Sequence, residues 1–437
     1  MIRRMADFFT RLMERYLPDA FVFAVILTLV VFVAGVFGQE KTPMQMAVYW
    51  GDGLWNLLAF SMQMALILVT GYVLAMAPVV QRMLRRLAAQ TATMPRAVVV
   101  TTVVALVASW FNWGFGLVAS ALIAREIARQ HREMHYPLLV ASAYSGFLVW
   151  HAGLSGSIPL KVASPGNDVL GKLLPSPIPV SETILSGPVI WTVVILAISL
   201  PILNWWMTPH RSRWVNHVHG EDSSPVETHP KTPAEKIEHS RWILWPMVIM
   251  AMAWLVHHFE RGGGLSLNVI ILIFLVLGLA LHGKPANYLR AFQQAVGITS
   301  GIVLQFPLYA GLMGMMIQSG LASSVSQWFV DIASPETFPV LTFLSAGLVN
   351  VFVPSGGGQW AVQAPIVIPA AQALGVPLNQ AAMAVAFGDA WTNMIQPFWA
   401  LPLLAVSGLS VRHIMGYCTV VLLWSGLVIM VGLSFFY

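Results

Sequence analysis

The chain has 437 residues, 57% of them apolar and only 9% charged, against about 25% charged in an ordinary soluble domain. With 23 Lys and Arg and 18 Asp and Glu, a soluble globule of this length could not cover its surface. The composition excludes a soluble fold and predicts an all-α polytopic membrane protein, with membrane lipid as its surroundings. The net charge of +5 lies in short segments between apolar runs and forms no basic face, which excludes nucleic acid as a partner. Cys418 is the sole cysteine, so no intrachain disulfide forms.

A bilayer core of about 30 Å needs roughly 20 helical residues. Apolar segments of that order fall at 20–38, 58–80, 136–163, 188–207, 242–259, 265–282, 295–317, 381–408 and 414–436, which predicts about nine transmembrane helices. The first is not a cleavable leader, because the run from Ala20 to Phe37 is too long for an h-region and no A-x-A pattern follows it. Two further stretches do not fit one straight crossing. Residues 97–124 are flanked by arginines and turn at Asn112-Trp113-Gly114-Phe115-Gly116, and residues 338–374 carry Pro354-Ser355-Gly356-Gly357-Gly358 at their middle. Irregular backbone at membrane depth persists only where protein or water satisfies its polar groups, so each stretch predicts a re-entrant hairpin.

Basic residues set the orientation. With a cytoplasmic N-terminus, all of the 23 except Lys41, Lys161, Lys172 and Arg261 fall on the cytoplasmic side, which predicts N-in and C-out. Hairpin 97–124 then opens to the cytoplasm and hairpin 338–374 to the outside. The order span, span, hairpin, broken span, span occurs twice. Residues 1–207 form the first repeat and 265–437 the second; 208–241 is a cytoplasmic loop and 242–259 a single linking helix, which inverts the second copy. Inverted repeats around discontinuous helices are the architecture of many secondary transporters.

The broken spans are 136–163, interrupted from His151 to Pro159, and 381–408, interrupted near Asn393-Met394-Ile395-Gln396-Pro397. A half-helix that begins inside the membrane offers free N–H groups and a positive dipole end to a small anion. Gly114, Gly156, Gly356, Gly357 and Gly358 let backbone approach a ligand, Ser155, Ser157 and Ser355 add hydroxyls, and Asn112, Gln359, Asn393 and Gln396 add amides. These are the candidate substrate-binding residues. Asp389 is the one acid deep within a predicted span, and an intramembrane carboxylate is a functional candidate by default. With His151 it forms the candidate coupling pair. The coupling ion is a proton, or a sodium ion held by Asn112, Ser155 and Asn393; no other cofactor is expected. Trp113, Trp391, Phe398 and Trp399 either line a pocket for a short alkyl tail or pack as core.

Other patterns carry less. His131, Glu133 and His135 read as a solvated face and not as the H-E-x-x-H of a zinc hydrolase, and the histidines of 208–241 carry no assigned role. Gly153-Leu154-Ser155-Gly156-Ser157 is not G-x-S-x-G. No nucleophile–base pair and no phosphate-binding loop is present, so neither hydrolase nor ATP-driven chemistry is expected.

The strings FNWGFGLVASALIARE (111–126), GLSGSIPL (153–160), ASPGN (163–167), VPSGGGQW (353–360) and NMIQPFWALPLLA (393–405) resemble the short-chain fatty acid transporter family. The resemblance covers essentially the whole chain. It implies a fold of the wider ion transporter superfamily, with a scaffold, a moving part carrying two hairpins, and a homodimer. It further implies cation-coupled symport of acetoacetate, butyrate and similar monocarboxylates across the bacterial inner membrane by an elevator-like movement. Transport of another small organic anion, or passive conduction, stays open at this point.

With Cys418 replaced by Ser, cysteines introduced at Arg96 and at Arg125 are both expected to resist a membrane-impermeant thiol reagent applied from outside. Labelling of one and not the other would exclude the first hairpin.

Overall fold

A computed structural model describes residues 2–435 except 57, 164–173, 175, 212–213, 217–231, 265, 298 and 355. Among these residues every regular element is a helix. The first half contains α1 (Ile2–Tyr16), α2 (Ala20–Gly38), α3 (Pro43–Gly53), α4 (Leu58–Ala75), α5 (Pro78–Ala89), α6 (Met94–Phe111) and α7 (Trp113–Gln130). Next, α8 (Tyr136–Ser145) runs into a 3₁₀ segment, Gly146–Ala152, and α9 (Ser157–Ala163) and α10 (Gly187–Trp206) follow. Two helices, α11 (Pro233–Glu238) and α12 (Trp245–Glu260), lead to the second half. There lie α13 (Leu267–His282), α14 (Pro285–Gly297), α15 (Ser300–Gln318), α16 (Leu321–Asp331), α17 (Phe338–Phe352), α18 (Gly356–Leu374), α19 (Leu378–Thr392), α20 (Pro397–Ser407) and α21 (Arg412–Phe435).

Five helical stretches among the described residues are long and apolar enough to cross a bilayer, and six if Ser61–Ala75 and Pro78–Ala89, bent by 72°, form one span. This is fewer than the nine expected, and one of the five, Met94–Phe111, is the first arm of the stretch expected to form a re-entrant hairpin. Shorter apolar helices such as Asn268–His282 and Pro397–Ser407 accompany them. The segment read as one span over 58–80 ends its first helix at Ala75, because the chain turns before Pro78, which opens α5 at its first position. The segment expected to begin at 295 starts its long helix at Ser300, after α14 has ended at Gly297.

Short helices that hydropathy does not reveal fill the gaps between long ones. α3, α5, α14 and α16 have 11 to 13 residues, below the length of a crossing. With them, the succession long, short, long, short, hairpin pair, broken helix, long runs from α2 to α10 and recurs from α13 to α21. The packing repeats too. α2 lies against α15 and α4 against α13; α3 lies against α15 and α14 against α4; α5 packs on α7 and α16 on α18. Glycines allow the closest of these approaches: a Cβ on Gly53 of α3 would stand 2.8 Å from the Ala310 carbonyl oxygen and 2.9 Å from the Gly314 Cα of α15. Small residues serve this purpose between membrane helices.

One expectation is corrected at the α7–α8 junction. His135 is not on a solvated face: it is 7% exposed, and its Nε2 lies 2.9 Å from the Tyr417 hydroxyl. Residues 214–216 fold back over the junction. The Val215 N–H donates to His135 Nδ1 at 3.2 Å, its carbonyl accepts from the Tyr136 N–H at 2.9 Å, and the Asn216 amide donates to the Ala128 carbonyl at 2.8 Å. Charge spacing alone could not show that a distant segment covers this turn.

Gly53→Val is expected to push α3 off α15 and cost about 1–3 kcal/mol as overpacking. Gly51→Val, where a Cβ meets nothing within 4 Å, should leave the unfolding midpoint in detergent unchanged.

Candidate functional site

The two broken helices meet at a buried polar contact. His151 Nε2, at the end of the 3₁₀ segment, lies 3.1 Å from Asp389 Oδ1 on α19, and neither side chain is exposed at all. A buried carboxylate is tolerated only when partnered, and here the partner comes from the other half of the chain. The other atoms of the pair, Asp389 Oδ2 and His151 Nδ1, have no hydrogen-bond partner among the described residues. The glycine that opens α18 closes the cluster. A Cβ on Gly356 would stand 2.8 Å from His151 Nε2 and would collide with Ser157 Oγ, so only glycine brings this turn against the pair. Gly156 likewise brings the backbone of its turn against the His151 carbonyl.

Asn350, a residue that sequence reasoning missed, holds the second break. The two hydrogens of its fully buried amide nitrogen are shared among the Asp389 carbonyl at 2.9 Å, Thr392 Oγ1 at 2.9 Å and Asn393 Oδ1 at 2.8 Å. The Asn393 carbonyl accepts from the Tyr144 hydroxyl of α8 at 2.7 Å, a second tie between the broken helices. The signal was present, since Asn350 is the one amide in the apolar arm 338–352. Its target could not be read without the fold. Nearby on α18, Gln359 is fully buried and donates to the Ala346 carbonyl and to Gln363 Oε1, both at 2.8 Å.

The first hairpin turns as expected at Asn112. Its Oδ1 accepts from the Phe115 N–H at 2.9 Å and caps α7, while Ser155 Oγ accepts from the Trp113 N–H at 3.0 Å, pinning the tip to the first broken helix. Gln396 caps α20 in the same way, its Oε1 accepting from the Phe398 N–H at 2.6 Å. Trp113, Trp150 and Trp399 interlock here, with ring centroids 5.4 Å apart for Trp113 and Trp399 and 5.3 Å for Trp150 and Trp399.

The structure therefore gathers Asn112 and Ser155 at one tip, and His151, Ser157, Gly356 and Asp389 at the other. Asn393 sits beside Asp389 through Asn350. Gly114 serves packing, since a Cβ there would collide with Ile67 of α4. Gly357 is exposed with nothing within 4 Å of a Cβ position, and Gly358 is half-buried. Ser355 and residues 164–167 of the ASPGN string lie outside the described residues. Trp391 is packing, its indole N–H donating to the Leu422 carbonyl at 2.7 Å. A cleft of about 770 Å³ between α1 and the end of α10, lined by Arg3, Arg4, Trp205, Trp206 and His210, contains none of the candidate residues.

Discontinuous helices around buried polar groups form the sites of many secondary transporters, and the family match places this chain among transporters, not enzymes. The chain belongs to the short-chain fatty acid transporter family: the family model described as "Short chain fatty acid transporter" matches residues 1–436. Two relatives, one of Escherichia coli (strain K12) and one of Haemophilus influenzae, each carry the name "Putative short-chain fatty acid transporter". They are 45% and 41% identical to this chain, and each match covers 100% of both sequences. The crystal structure of the Alcanivorax borkumensis YdaH transporter overlays with a TM-score of 0.44 at 14% identity, covering 96% of this chain and 99% of that one. A likeness that slight carries no inference.

Gly356→Ala is expected to displace His151 from Asp389 and lower stability by about 1–3 kcal/mol. Gly357→Ala should leave the unfolding midpoint within error of the parent, since its Cβ enters open space. Equal midpoints for the two variants would contradict the seating of α18 on His151.

Proposed function

We propose that the chain is a secondary active transporter that carries acetoacetate, butyrate and similar short monocarboxylates across the bacterial cytoplasmic membrane together with one cation. The substrate class follows the names of the relatives. The single observation that carries the coupling is the contact between His151 and Asp389, a buried acid bridging the two broken helices at 3.1 Å.

A carboxylate that arrives beside an ionised Asp389 is repelled strongly at low dielectric. None of the candidate residues is an arginine or lysine that could neutralise both charges. A cation must accompany the substrate, and one cation with one carboxylate moves no net charge. Uptake then follows the ion's concentration gradient and gains little from voltage, which is worth about 2.3 kcal/mol per charge per 100 mV. A proton fits better than sodium. The oxygens proposed for sodium each already accept an N–H: Asn112 Oδ1 from Phe115, Ser155 Oγ from Trp113, and Asn393 Oδ1 from Asn350. The unpaired Asp389 Oδ2 offers a place for a proton.

In this reading 1–207 and 265–437 are inverted repeats linked by the helix at 242–259. The pairs α6–α7 and α17–α18 are re-entrant hairpins that open to the cytoplasm and to the outside, with an N-terminus inside and a C-terminus outside. Buried Asn112, Ser155, His151, Asp389 and Asn393 must exchange with water on either side in turn, which requires movement. The hairpins and broken helices would move as one body against a scaffold formed by α2–α4 and α13–α15, which pack on one another across the halves. The working unit is proposed to be a homodimer.

Labelled butyrate uptake into proteoliposomes, with a proton gradient, a sodium gradient or neither, tests this directly. The expected result is accumulation above equilibrium with an inward proton gradient. Asp389→Asn should keep butyrate exchange and lose accumulation. Uptake that only equilibrates under every gradient would indicate a passive path, and full accumulation by the Asn variant would reduce Asp389 to a structural brace.

A further inference from the structure

Beside the acidic contact lies a second set of polar atoms with the opposite chemistry. The indole Nε1 atoms of Trp150 and Trp399 and the amide Nδ2 of Asn112 are buried N–H donors with no partner among the described residues. Their residues are 2%, 2% and 5% exposed, so bulk water does not reach them. A buried donor left unpaired costs on the order of 1–3 kcal/mol. Three on neighbouring residues, two tryptophans in ring contact and the asparagine next to Trp113, therefore point to an acceptor that arrives from elsewhere.

The fold explains why they converge. Trp113 opens α7 at the tip of the first hairpin, and Trp399 lies in the first turn of α20 in the second broken helix; their rings touch at 5.4 Å, and α7 packs on α20. Two helices of 18 and 11 residues thus bring side chains of their first turns together, and the first turn is the positive end of a helix dipole. Asn112 and Gln396 cap them through their side-chain oxygens, which leaves the Asn112 nitrogen unused. Trp150 joins from the first broken helix. Its ring lies 5.3 Å from that of Trp399 and 3.6 Å from that of His151, so its indole links the donors to the His151–Asp389 contact. Phe147, fully buried, covers the same spot at 5.5 Å from Trp150 and 5.6 Å from Trp399.

We infer that this is the seat of the substrate carboxylate: its oxygens accept from Trp150 Nε1, Trp399 Nε1 and Asn112 Nδ2, and its short alkyl chain lies against Phe147. The inference rests on the transport reading and refines it, by separating the anion from the glycine turn at Gly356. The donors are neutral. They bind a small carboxylate without the long residence that an arginine pair would impose, which suits a site that must also release. The carboxylate then sits one ring away from His151, near enough for its charge to bias where the coupling proton rests on the His151–Asp389 pair.

The test uses the full-length protein in proteoliposomes, with labelled butyrate exchange measured at fixed ion concentrations. Trp150→Phe and Trp399→Phe keep an aromatic ring and delete one donor each. Asn112→Asp keeps the capping oxygen and replaces the donor with an acceptor. Each Phe variant is expected to raise the KM for butyrate roughly tenfold with little change in maximal rate, as loss of one hydrogen bond to a charged group. Asn112→Asp should raise it further. A merely structural role would lower yield or maximal rate and leave KM in place. A KM within twofold of the parent in both Phe variants would overturn the inference and leave these donors to trapped water. Absence of butyrate exchange by the parent protein would instead overturn the transport reading beneath it.

Discussion

The rest of the site depends on the burial of one carboxylate. Asp389 lies fully inside a helical membrane protein, and its contact at 3.1 Å is His151, 238 residues away in the chain. Neither half can satisfy this group alone, so the breaks in α8–α9 and α19–α20 have to face one another. The neighbours follow from that requirement. Residue 356 must lack a side chain because Ser157 and His151 occupy the space, and Asn350 supplies the amide N–H groups that the Asp389 carbonyl, Thr392 Oγ1 and Asn393 Oδ1 accept. The contact is costly to remove from one side, since it would leave the other member buried and unpaired.

Around this contact the protein buries several polar atoms that have no partner among the described residues, including Asp389 Oδ2, His151 Nδ1, Ser157 Oγ and Trp399 Nε1. A chain selected for stability alone would pair or remove them. They fall into two groups by chemistry. The acid and the histidine, one from each broken helix, gather where Gly356 opens α18; the indole and amide donors come from Asn112 at the turn of the first hairpin, Trp150 of the first broken helix and Trp399 of the second. In the proposed reading the first group serves the cation and the second the anion. The two groups adjoin through Trp150 and His151, whose ring centroids lie 3.6 Å apart, and in that reading this adjacency links ion to substrate.

Much of this was legible in the sequence, for identifiable reasons. An acid in an apolar run is conspicuous, and so is a Gly-Ser interruption of a span, so Asp389, His151 and the turn at Asn112 could be named before any coordinates. Pairing could not be named. Nothing in the arm 338–352 says that Asn350 reaches α19, and a tryptophan in a membrane helix gives no sign of whether its N–H has a partner. Helices α3, α5, α14 and α16 escaped because a threshold set by bilayer thickness discards anything of 11 to 13 residues. His135 escaped for a related reason: its cover, residues 214–216, lies beyond the next long helix.

The most direct measurement of the central contact is a double-mutant cycle on proton-driven butyrate accumulation, with His151→Asn, Asp389→Asn and the two combined. If the two residues act as one coupling unit, the double variant loses no more accumulation than either single variant, because the first substitution has already broken the unit. Losses that multiply, as they do for independent sites, would contradict the pairing of His151 with Asp389 as the element that couples ion to substrate.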